Sequence, residues 1–114
     1  MANDRYVPRR FAIDDQLFGK ERVIKWRPQG EFDGLELDRW RASRMQHLAA
    51  CIIREVVGQS ARYFSIADYA RAADVSERRM ASMLRGEVVM RLEDLATAER
   101  LLKVTWIGWP GSRD

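Results

Sequence analysis

The side chains able to do chemistry are few, and most of them are arginine. The 114-residue chain has one histidine, His47, and one cysteine, Cys51. No glycine-rich phosphate loop is present and no carboxylate pair stands apart from the general surface charge, so the sequence offers little for catalysis. His47 has no cysteine or acidic cluster at ligand spacing, so neither a metal site nor a cofactor is expected. Cys51 lies between Ala50 and Ile52 and reads as a buried thiol, with no second cysteine for an intrachain disulfide. What remains is polar recognition. Arginine outnumbers lysine 17 to 3. A guanidinium can form paired hydrogen bonds to phosphate or guanine, although genome base composition produces the same bias. The densest polar group follows Val75: Ser76, Glu77, Arg78 and Arg79, then Ser82 and Arg85.

These residues need an element to hold them. The Ser76 hydroxyl can accept from a free first-turn amide, so a helix starts there and runs to about Arg85, where Gly86 stops it. Met80 and Met83 face inward along it. Upstream, Ser65 with Asp68 three residues later has capping-box spacing. It opens a short helix with Tyr69, Ala70 and Ala73 inward, ending near Asp74, whose small polar side chain tolerates the left-handed conformation. A longer amphipathic helix precedes over 38–57: Met45, Leu48, Ala49, Ile52, Ile53 and Val56 recur at intervals of three and four, and Gly58 supplies a stop. A final helix begins at Leu92, with Leu92, Leu95, Ala98, Leu101 and Leu102 inward.

Residues 1–34 are different in kind, with Pro8, Pro28, Gly19, Gly30 and Gly34 and no helical periodicity. Two β-prone stretches, 10–13 and 22–26, flank a turn signal at 18–21. They predict either a β-hairpin or an extended arm that docks Phe11, Phe18 and Trp26 on the helical body, because an isolated hairpin is marginal in water. The expected architecture is mainly α: a compact four- to five-helix domain over 35–114, a non-helical arm or hairpin over 1–34, and a short aromatic C-terminal tail. The length suits one core, and 46% apolar with 32% charged residues excludes a disordered chain. The longest apolar run, Leu48 to Ile53, is far short of the about 20 residues of a membrane span. No secretory signal opens the chain, so a cytoplasmic location without membrane contact is expected.

The run Phe64-Ser65-Ile66-Ala67-Asp68-Tyr69-Ala70-Arg71-Ala72-Ala73-Asp74-Val75-Ser76 resembles the start of the lambda-repressor-like (Xre/Cro) helix-turn-helix, typically Leu-Ser-Gln-x-x-Leu-Ala-x-x-x-Gly-Val-Ser. The residues from Glu77 to Gly86, then Leu92-Glu93-Asp94-Leu95, are similar to that family's recognition helix, closing glycine and following helix. The likeness covers about residues 64–103, carried by the joint spacing of Ala70, Val75, Met80, Met83, Gly86 and Leu95. Ile66 replaces a phosphate-touching polar residue, Asp74 the turn glycine, and Leu84 a common glutamate. The first weakens the expected DNA contact, the second is sterically tolerable, and the third points to a different partner surface.

The resemblance implies a sequence-specific transcriptional regulator, of phage or mobile-element type, that sets residues 76–85 in the major groove of double-stranded DNA. It implies DNA contacts for Ser65, Ser76, Glu77, Arg78, Arg79, Ser82 and Arg85. Over 64–103 seven basic residues balance seven acidic ones. A lone copy should therefore bind DNA weakly, at the feeble end of roughly 10⁻⁴–10⁻⁶ M or beyond. Arg9 and Arg10 as a basic arm, or a homodimer through Trp106, Ile107 and Trp109, would strengthen it. Those tail residues could equally pack on the N-terminal segment of their own chain. The zero charge, with Ile66 and Leu84, also fits a protein-binding adaptor that keeps the fold without touching DNA.

Overall fold

The longest stretch of helical periodicity lies in the middle of the sequence, and there the longest element forms. The computed structural model describes residues 5–106, and among them lie four α-helices. These are α1 (Gly34–Gln59), α2 (Ile66–Ala72), α3 (Glu77–Leu84) and α4 (Leu92–Leu102). Among the described residues no β-strand forms, and no helix is long and apolar enough to cross a membrane.

Helix α1 outruns its expected bounds of 38–57 at both ends. It begins directly after Asp33, and Gly58 lies inside its last turn rather than stopping it. The stop is Ser60, whose hydroxyl accepts from the amides of Arg62 and Tyr63 at 2.9 and 3.3 Å and turns the chain. The buried face overlaps the expected one, with Ala49 and Ile53 buried and Leu48, Ile52 and Val56 half-buried, but it extends further round the helix. Met45 is 57% exposed, whereas Trp40, Ser43, Gln46, His47, Ala50, Ile53 and Val57 are buried. Counting apolar residues alone missed part of that face, because polar side chains with buried partners occupy it.

The core joins Ala50, Ile53 and Val57 of α1 to Tyr69 and Ala70 of α2, Met80, Met83 and Leu84 of α3, and Ala98 and Leu102 of α4. Tyr63 closes one edge, its ring packed edge-on to Tyr69 at 5.8 Å. In α4 the expected inward Leu92 is 81% exposed. It occupies the first helical position, ahead of the packed turns, and Asp94 takes the inward place in that turn. Leu95 and Leu101 are half-buried. Lys103, at φ 62°, ends the helix. Trp106 then folds back, donating its indole N–H to the Leu95 carbonyl at 2.7 Å. Of the expected dimer residues, Trp106 is thus engaged by its own α4, while Ile107 and Trp109 lie outside the described residues.

The hairpin does not form. The two β-prone stretches meet at a single antiparallel bridge, Ala12 with Trp26. Around it the chain takes three short 3-10 turns, Pro8–Phe11, Asp15–Leu17 and Gln29–Glu31, so the segment is not wholly non-helical either. Asp14 interrupts the ladder by turning its carboxylate onto the Lys25 amide at 3.0 Å. Phe11 and Phe18 both turn inward and are buried, Trp26 half-buried, which is the docking arrangement. Gly19 approaches so closely that a Cβ there would stand 2.1 Å from the Leu84 carbonyl oxygen, and one on Gly86 would stand 2.7 Å from the Phe18 ring. Both glycines have positive φ, 76° in each case. Leu84 is consequently fully buried and offers no partner surface, contrary to expectation.

Two adjacent polar residues of α1 clamp these parts. Gln46 donates to the carbonyls of Met83 and Val88 at 3.0 and 2.9 Å and accepts from the Met90 amide at 2.9 Å, fixing the α3–α4 loop. His47 accepts from the Gly19 amide at Nδ1, 2.8 Å away, so its proton sits on Nε2, 3.1 Å from the Arg22 carbonyl. Desolvation by burial holds its pKa below the ordinary histidine value, outweighing the backbone bonds that favour the cation.

Gln46→Leu strands two carbonyls and an amide, and it should lower the unfolding free energy by about 2–4 kcal/mol in urea titrations. A loss no larger than that of Met45→Ala would refute the clamp. For His47 the unfolded chain takes up a proton on falling below pH 6.5 while the folded chain resists it, so stability should decline as the pH drops from 6.5 toward the folded pKa. The slope is at most about 1.4 kcal/mol per pH unit. Urea midpoints should fall from about pH 7 to about pH 5.5 in the parent and stay flat in His47→Gln; equal slopes would contradict this account.

Candidate functional site

Helices α2 and α3 are short, and their ends are fixed by side chains near them in sequence. Ser65 accepts from the Asp68 amide at 3.2 Å. The Asp68 carboxylate reaches one residue further back than a capping box requires, to the Phe64 amide at 3.0 Å. At the other end of α2, the Val75 amide bonds the Ala70 carbonyl at 2.9 Å and the Asp74 amide bonds that of Arg71 at 3.1 Å. This is a Schellman closure, and Asp74 carries its left-handed residue at φ 59°. An aspartate therefore serves where the resembled motif has glycine, at a modest conformational cost.

Ser76 caps α3 by accepting from the Arg79 amide at 3.1 Å. A second Schellman closure ends that helix, with Glu87 bonded to Ser82 at 2.9 Å and Gly86 to Met83 at 3.2 Å. Met80, Met83 and Leu84 form the buried face. Helical geometry then places Arg78, Ser82 and Arg85 in one outward row, with Glu77 beside it. Ser65, Ser76, Glu77, Arg78 and Arg85 are exposed and Ser82 is half-buried. A groove of about 190 Å³, lined by Ala67, Ala70, Arg71, Val75 and Glu77, opens beside the start of α3.

The two ends of α3 differ in what covers them. At the C-terminal end the Arg9 amide donates to the Gly86 carbonyl at 2.9 Å and the Phe18 ring lies against Gly86. Arg85 forks onto Glu87 with two bonds of 3.1 Å, and Arg9 approaches the same carboxylate at 3.4 Å. The Arg85 hydrogen bond holds the Glu87 carboxyl below its usual range. At the N-terminal end Ser76, Glu77 and Arg78 are exposed. Arg78 has no ion pair among the described residues.

Arg79 occupies a different setting from its neighbour. Its guanidinium donates to Asp94 at 2.8 Å, and that carboxylate, only 8% exposed, also accepts from the Arg91 amide at 2.8 Å. Arg79 thus ties α3 to the first turn of α4. Sequence reasoning passed over Asp94 as one acid among seven. Its position three residues after Arg91, just inside the final helix, was the available signal, since a carboxylate there reaches back to the preceding amide. Its pairing with Arg79 is tertiary and left no such trace. Cys51 is buried as expected, and burial, with Glu55 nearby, pushes its thiol up to about 11.

No protein-family model matches the chain, and neither curated proteins nor solved structures yield a match. The functional argument therefore rests on the residues themselves. Asp94→Ala removes both the helix-start bond and the Arg79 partner, and it should cost about 2–3 kcal/mol of stability. Asp94→Asn keeps an acceptor for Arg91 and should cost about half as much. Chemical denaturation beside Glu93→Ala checks this: three equal losses would show that Asp94 holds nothing together.

Proposed function

We propose that the chain is a sequence-specific DNA-binding regulator of transcription that sets the leading end of α3 into the major groove. The observation that carries this reading is Arg78: exposed, without an ion pair among the described residues, and one residue past the helix start at the uncovered end of α3. A helix fits the major groove end-on, and a guanidinium there can fork onto the two acceptors of a guanine edge. Glu77 beside it could accept from a cytosine amino group. Ser76 and Ser65, at the starts of the two short helices, and Ser82, on the outward row, would contact the backbone or neighbouring bases. The likeness of residues 64–103 to the lambda-repressor-like helix-turn-helix supports the same placement. Because that stretch carries no net charge, the reading includes a homodimer that presents two α3 helices about 34 Å apart.

Arg79 and Arg85 enter this reading with reduced roles. Arg79 is committed to Asp94, and Arg85 reaches phosphate only by exchanging Glu87 for it. A protein-binding adaptor is the second reading, favoured by Phe64, which is 90% exposed at the entry to α2.

Fluorescence anisotropy with duplexes selected from a random pool distinguishes the two. The expected outcome is binding that weakens steeply with salt, and about tenfold or greater loss on Arg78→Ala with little change on Arg100→Ala. If the parent chain shows no salt-sensitive binding to any selected duplex, the DNA reading is overturned.

A further inference from the structure

A second polar surface lies away from α3. The N-terminal segment and α1 enclose a cleft of about 480 Å³ whose lining includes Arg22, Arg41, Arg44, Trp26, Trp40 and His47, and no carboxylate. Arg41, Arg44, Met45 and Leu48 share one face of α1, roughly opposite the face that carries Gln46, Ala50 and Ile53 toward α3. The volume is within the range of small-molecule sites, about 300–1,000 Å³.

Its charge is only partly spent internally. Arg22 is neutralised by Glu55 through bonds of 2.8 and 2.7 Å. Arg41 and Arg44 have no ion pair among the described residues. Two positive charges therefore face a cleft that no acid lines.

Its aromatic walls are held in place before any ligand arrives. The Trp40 indole N–H donates to the Arg27 carbonyl at 2.8 Å, and the Arg44 guanidinium lies 4.8 Å over the Trp40 ring. Trp26 is fixed by its bridge to Ala12 and by edge-on packing against His47 and Phe18 at 5.4 and 6.2 Å. The fixed, half-buried Trp26 indole favours a flat ring, since stacking on a preorganised surface loses little side-chain entropy. Unpaired guanidiniums favour a phosphate or carboxylate, which they can grip with paired bonds.

The geometry points to a binding site for a small ligand that joins a planar aromatic ring to an anionic group, about the size of a mononucleotide. The ring stacks on the half-buried Trp26 indole, beside the Trp40 ring that Arg44 covers, and the anion meets Arg41 and Arg44. The site is independent of the DNA reading, because none of its residues belongs to α2 or α3.

Isothermal titration calorimetry on the full chain tests it with two probes, adenosine 5′-monophosphate and salicylate, which carry the shared chemistry on a phosphate and on a carboxylate. At least one should bind with a dissociation constant of about 10⁻⁴ M or tighter, and which one binds identifies the anion. Adenosine and inorganic phosphate, each lacking half of the chemistry, should bind about tenfold more weakly or worse. Arg41→Ala with Arg44→Ala should weaken the bound probe by about tenfold or more, while Arg62→Ala leaves it unchanged. Both arginines are exposed, so the double variant should keep the parent circular dichroism and melting temperature. Silence from both probes, equal binding of adenosine or phosphate, or an unaffected double variant would each overturn the site.

Discussion

The arrangement depends on one close approach: the Phe18-Gly19 corner pressed against the end of α3. Leu84 and Gly86 meet it with backbone, and neither Gly19 nor Gly86 has room for a β-carbon. Both also need positive φ, so glycine is required twice over, by space and by conformation. That contact anchors one end of an eight-residue helix. The other end remains in solvent, held from below by Met80 and laterally by the Arg79–Asp94 pair.

Apolar burial alone would not fix this geometry, because the core is built largely from alanine, methionine and tyrosine side chains that could slide past one another. Directional bonds from buried polar residues select one register. Gln46 holds the α3–α4 loop, His47 holds the Gly19 corner, and Asp94 holds α4 to α3. Each joins backbone or charge across a long sequence separation, and each would be costly to leave unpaired. Adjacent positions on α1 thus grip opposite ends of the same contact, Gln46 from the α3 side and His47 from the corner side.

The legible parts of this fold are those written in local chemistry. Ser65, Ser76, Gly86 and the left-handed Asp74 announced two short helices and the turn between them, because caps and positive φ act within a few residues. Met80, Met83 and Tyr69 were readable from spacing. Illegible parts were those decided by tertiary partners. The polar part of the buried face of α1 was missed, since Ser43, Gln46 and His47 look solvent-facing until their partners are known. Leu84 looked like an anomaly in a resembled motif. It is the position that the N-terminal segment covers, and a leucine there follows from that cover. Arg78 and Arg79 were indistinguishable as neighbours in sequence; the 2.8 Å bond to Asp94 separates them.

That separation leads to a view of how the chain uses its many arginines. Eight of them, from Arg9 to Arg91, meet carboxylates within 4 Å and hold turns, helix starts or helix pairs in place. Most such pairs are exposed and contribute little energy, but they remove charge from the field that a ligand would feel. What is left is uneven. Arg78, at the uncovered end of α3, and Arg41 with Arg44, on the far face of α1, are among the arginines without a carboxylate partner among the described residues. A modest net charge of +3 is therefore a poor guide to binding in this molecule. Intrachain pairing takes eight arginines out of that field, so the positions of the unpaired ones, more than the total, decide where an anion would meet positive charge.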